Sequence, residues 1–196
     1  MRAAAILLFL ATALRAQTVS PSDLTERVET GRARLPNGSE VLYRIRLLPL
    51  ASFPSLPAVI AAQLQQRGCM VPQTYAARGP ENVARGAFEK KGSDDWAVLC
   101  SANGVTSLYV FFHANAGAPV LLRQQRDAEW LGAETVGAYG SAWGIAPRSP
   151  SQIRSSHLGQ PDEVIDHDGI EDDFVEHSSS VHYFEGNAWK TLQPRE

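Results

Sequence analysis

Cysteine is scarce in this chain: Cys69 and Cys100 are the only two in 196 residues. Paired CxxC motifs are therefore absent, as are GxGxxG, GxxxxGK[ST] and HExxH, which leaves no signature of a zinc ribbon, a dinucleotide fold, a phosphate loop or a zincin. Gly140-Ser141-Ala142-Trp143-Gly144 echoes a nucleophile elbow only loosely, because its serine stands second rather than central. Past the first seventeen residues no apolar run approaches the roughly 20 residues needed to span a bilayer. Charge of one sign is missing from two stretches. Val41 to Pro80 has no Asp or Glu, and Asp162 to Glu176 has no Lys or Arg. The formal net charge of −3 is opposite to that of a generic nucleic-acid binder.

What is present starts with an address. Arg2 precedes the apolar run Ala3 to Leu10, and small residues follow at Ala11, Ala13 and Ala16. This is the anatomy of a secretory signal peptide over residues 1–17. The expected mature chain, 18–196, is one domain in the periplasm or outside the cell, without a transmembrane segment. Its size suffices for a single core. A hydrophobic content of 44% with 20% charged residues suits a globular fold rather than a disordered one. In an exported chain two cysteines pair most simply with each other, and a Cys69–Cys100 disulfide would close a loop of about thirty residues.

The elements read as α+β, an antiparallel β-sheet in two meanders with one or two helices packed on it. Ser20 to Asp23 caps a short helix, Leu24 to Val28, that Gly31 ends. Pro36-Asn37-Gly38 then turns the chain between strands at Arg32 to Leu35 and Glu40 to Leu48, the latter alternating Val41, Tyr43, Ile45 and Leu47 with polar neighbours. Leu56, Val59, Ile60 and Leu64 have helical spacing, with Gly68 at the C-terminal cap. Val83 to Glu89, Trp96 to Ser101 and Ser107 to Phe112 form a first meander, the last two joined by an Asn103-Gly104 hairpin. Farther on, a strand is expected at Pro119 to Arg123, loops over Gly132 to Pro150, a strand at Gln152 to His157 and a helical turn at Gln160 to Ile165. Ile170 to Glu176, Val181 to Glu185 and Trp189 to Leu192 form the second meander. Trp96, Trp130, Trp143 and Trp189 read as core.

Chemistry concentrates in the acidic stretch. Asp166, Asp168, Asp172 and Asp173 surround Gly169 and are the candidate ligands for a hard cation such as Ca²⁺. The stretch is no EF-hand: counted from Asp166, Glu171 occupies the glycine position and His177 the final glutamate position. His177 and His182 flank Ser178 to Val181, so a loop there would set the two imidazoles opposite each other on adjacent strands. Such a pair with a carboxylate suits a transition metal. The simpler account of the two one-signed stretches is that they lie against each other or face solvent.

Two resemblances add to this. Arg67 to Gln73, Asn82 to Phe88 and Asp95 to Ser101, with Asp168-Gly169-Ile170 and Val181 to Phe184, resemble a group of uncharacterised exported bacterial proteins. That likeness implies export and a small β-rich domain. Val83 to Val98 is similar to one FG-GAP repeat of integrin-type propellers, in which a calcium loop precedes the second strand. Lys90 and Lys91 stand at the acidic positions of that loop, so the likeness implies a hairpin pattern and no calcium. The expected function is a non-enzymatic exported domain that binds a protein, a glycan or another envelope component. The alternative is a metal-assisted hydrolase using Asp166 to Asp173 with His177 or His182.

Overall fold

Gly38, at φ 86°, turns the chain after β1 (Arg27–Arg34) into β2 (Glu40–Leu48), and Leu35 closes the turn through the Gly38 and Ser39 backbones. The computed structural model describes residues 25–115, 117–135, 137–156, 164–175 and 178–193. The leader, residues 1–17, lies outside them. The expected helix over Leu24 to Val28 is corrected, because Arg27 and Val28 already pair with Leu47 and Arg46. A helix this short is marginal alone, and an eight-residue ladder outcompetes it. Ala33, Ile45 and Leu47 point inward, and the alternate residues face solvent. The sheet continues through β3 (Val71–Gln73), antiparallel to β2, and through a parallel contact of β2 at Tyr43 with Tyr139.

Helix α1 (Ala58–Gln66) follows Pro57 and ends as the spacing predicts. Gly68 adopts φ 72°; its N–H donates to Gln65 and that of Cys69 to Leu64, a Schellman cap. Ile60 and Leu64 are fully buried against Leu48, Phe53, Leu56, Trp96 and Phe111, while Val59 faces solvent. Beneath the helix lies a second sheet in the order β4 (Val83–Gly86), β5 (Asp95–Ala102), β6 (Val105–Phe111), β7 (Val120–Arg126), one strand more than the expected first meander. Asn103 and Gly104 both have positive φ, as a two-residue hairpin turn requires. Cys69 and Cys100 are bonded, with Cα atoms 5.2 Å apart, beside a backbone bridge between Met70 and Ser101. The helix exit is thus tied to the sheet's inner strand.

The stretch expected as loops, Gly132 to Pro150, is instead β8 (Leu131–Thr135), β9 (Ala138–Ser141) and β10 (Trp143–Arg148). Two of its glycines are packing glycines. Gly132 and Gly140 pair across β8 and β9, and a Cβ on either would sit 2.5 Å or 2.8 Å from Tyr75, which lies on them. The expected strand over Gln152 to His157 is α2 (Pro150–Ser156). Ser149 and Gln152 exchange hydrogen bonds as a capping box, with Pro150 at the first helical position. Its Ile153 fills a core with Ile165, Val181, Tyr183 and Leu192. His157 and Gln160 to Glu163 lie outside the described residues.

A third sheet runs β10-β11-β12-β13, all antiparallel, with β11 at Gly169–Phe174, β12 at Ser178–Glu185 and β13 at Ala188–Leu192. It contains the expected second meander, preceded by β10. The architecture is α+β, with three antiparallel-rich sheets and two helices. No helix among the described residues is long and apolar enough to cross a membrane.

The bond between Cys69 and Cys100 spans 31 residues of chain. Replacing both cysteines by alanine is expected to lower stability by about 3 kcal/mol in urea unfolding. An unchanged midpoint contradicts the bond.

Candidate functional site

Strand β11 is covered on both sides, and its alternation divides the acidic residues between two environments. Asp172 shares a face with Ile170, and its side chain has no solvent contact. It accepts hydrogen bonds from Trp143 Nε1 (2.6 Å), an Arg123 guanidinium nitrogen (3.0 Å) and His182 Nε2 (2.8 Å). Arg123 also lies over the Trp130 ring at 4.3 Å, and Trp130 stacks on Trp143. Glu171, on the other face, meets Arg148 and the Ser179 hydroxyl. Asp173 is half-buried beside it.

The candidate cation ligands therefore do not converge. Asp166 meets His167 at 2.8 Å, while Asp168 accepts the Ala87 N–H at 3.0 Å, and Asp172 and Asp173 occupy opposite faces of one strand. No three of His, Cys, Asp and Glu gather as a metal site among the described residues. The expected loop over Ser178 to Val181 between His177 and His182 is corrected as well. Ser178 to Ser180 already belong to β12, and the register places His182 across from Ile170. His177 lies outside the described residues.

Burial alone would raise the Asp172 carboxyl, but the hydrogen bond and charge of His182, with those of Arg123, outweigh it and hold the group below the usual aspartate value. Asp173 moves the other way, raised by burial and by the Glu171 carboxylate. His182 Nε2 faces the carboxylate and donates, and its Nδ1 lies 3.3 Å from the Thr191 hydroxyl. The cluster joins β7, β10, β11, β12 and β13.

Where the second and third sheets meet there is an open cleft of about 470 Å³. Glu89 and Lys90, after β4, form one side; Asp166, Phe184, Glu185 and Asn187 form the other. His167 and Tyr183 stack at 4.2 Å as its floor, both buried. Nε2 of His167 faces the Phe184 carbonyl, so it carries a hydrogen and donates at 2.9 Å; Nδ1 lies 2.8 Å from both Asp166 and the Tyr183 hydroxyl. That contact lowers the Asp166 carboxyl, while burial raises the Tyr183 phenol. Phe184 leans on Phe112 and Trp189, with ring centres 5.1 Å and 5.2 Å away. Glu89 pairs with His113 at 2.9 Å, and Glu185 with Lys190.

Sequence reasoning passed over Glu89, Lys90, Phe184 and Asn187 as site residues. No spacing rule joins residues almost a hundred positions apart. The alternation of His182 and Phe184 along a strand was the available signal. Comparisons with protein-family models, curated proteins and solved structures find no match.

The Asp172 network sets an acid dependence. Its native pKa lies below the unfolded value of about 3.9, so the stabilisation is complete above that value and is lost as pH falls through the native one. Asp172→Asn is expected to cost about 3 kcal/mol at neutral pH. It should also flatten the fall in stability between about pH 5 and pH 2. Urea midpoints across that range check this, and a variant curve parallel to the wild type's contradicts it.

Proposed function

We propose that this chain is an exported, non-enzymatic binding domain of the cell envelope, held in the periplasm or released from the cell, that takes its ligand in the cleft between Glu89 and Phe184. The observation that carries this reading is the composition of the cleft: three carboxylates, from Glu89, Asp166 and Glu185, against one lysine, with the Phe184 ring beside them. Carboxylates accept hydrogen bonds from hydroxyl and ammonium groups, and an aromatic edge covers the apolar face of a sugar ring. The ligand class is therefore an envelope glycan that carries amino sugars.

Two further features support binding over catalysis. Both ring nitrogens of His167 are engaged by Phe184, Asp166 and Tyr183, so the imidazole braces the floor and has no free position for a substrate proton. His182 commits Nε2 to Asp172 in the same manner. The leader pattern in residues 1–17 and the bonded cysteines support export. The resemblance to exported bacterial proteins agrees with it.

Calorimetric titration with a glucosamine tetramer and with its neutral N-acetylated counterpart tests the reading. The cationic oligomer is expected to bind more tightly, with an affinity that falls as salt is added. Glu89→Gln should weaken it about tenfold. Absence of heat from both oligomers at millimolar concentration overturns the glycan assignment.

A further inference from the structure

We propose that the outer face of the β1–β2 hairpin is a docking surface for an anionic lipid bilayer. The register puts Val28 beside Arg46, Thr30 beside Arg44, Arg32 beside Leu42 and Arg34 beside Glu40, all on the side away from the core. Val28 is 50% exposed and Leu42 63%, large values for such side chains on a sheet face. Arg46 spends its charge on Glu26 at 2.9 Å. Arg32, Arg34 and Arg44 are exposed and make no ion pair or hydrogen bond with any described residue. Leu42 and Arg32 also border a shallow hollow of about 240 Å³ with Glu40 and Val41.

The chemistry of this face selects its occupant. Every cation on it is an arginine, whose planar fork matches phosphate oxygens. A soluble polyanion would use those charges and leave Leu42 and Val28 in water. A bilayer uses both, since the guanidiniums sit at the phosphate level while the two apolar side chains enter the boundary with the acyl chains. Charge complementarity is local, because the chain as a whole is acidic. The proposal stands apart from the cleft, which involves none of these residues.

Sedimentation of the exported protein with vesicles tests it. Binding is expected with phosphatidylglycerol–phosphatidylcholine vesicles, to weaken as salt rises, and to be absent with phosphatidylcholine alone. Each basic residue near an anionic surface contributes roughly fivefold to partitioning, so Arg32→Gln with Arg44→Gln should lose roughly twenty-five-fold. Leu42→Ser, which leaves the charge intact, should lower binding as well, and Glu89→Gln should leave it unchanged. Circular dichroism verifies that each variant is folded. Equal binding to neutral vesicles, full retention by the double arginine variant, or capture on heparin without vesicle binding overturns the proposal.

Discussion

A carboxylate removed from water must be neutralised or fully hydrogen-bonded, and Asp172 meets that constraint with three donors from three strands. Each donor comes from a different part of the chain: Trp143 from β10, Arg123 from β7 of the neighbouring sheet, His182 from β12. The charge is therefore a joint. It fixes the position of the second sheet relative to the third, because displacing either one strands a charge away from water. Trp130 and Trp143 complete the joint by stacking on each other beneath the guanidinium. Such a pairing stabilises less than an apolar contact of the same size would. It does specify one arrangement, which two apolar faces alone do not.

The same device recurs in this fold. Asp127 accepts from the Ser101 and Thr106 hydroxyls, and Asp95 accepts from the Phe88, Glu89 and His113 backbones. The Asp95 contacts hold the segment that carries Glu89 into the cleft. On the opposite side of the cleft, β12 alternates between tasks: His182 binds Asp172, Tyr183 supports the floor, and Phe184 reaches the opening. The cleft is built by buried acids, while the acids that line it pair with His113, His167 and Lys190 at its rim.

Much of the framework was legible in the sequence because its signals are local. The Pro36-Asn37-Gly38 turn, the Asn103-Gly104 hairpin and the Gly68 cap each depend on a few adjacent residues and appear where they were expected. Gly132 and Gly140 read as loop residues because Tyr75, the reason for their lack of side chains, lies far away in the chain. The capping box at Ser149 and Gln152 is a local motif as well, and it starts α2 where a strand was expected. Charge was the least legible quantity. The acidic stretch suggested a cation site, but Arg123 and Arg148 supply its positive charge from distant strands, and alternation along β11 separates its carboxylates. Among the described residues no arginine of the acid-free stretch pairs with it: Arg46 pairs with Glu26, and Arg44 faces solvent.

An ionised Asp172 at the joint between two sheets is the centre of this account, and its titration can be observed directly. A carbon-detected NMR titration of the side-chain carboxyl, with Asp172→Asn used to assign the resonance, is the decisive measurement. The account predicts a midpoint below the ordinary aspartate value of about 3.9, accompanied by shifts in the His182 ring resonances as the carboxyl protonates. A midpoint above that value, or a carboxyl that titrates without any response from His182, contradicts it.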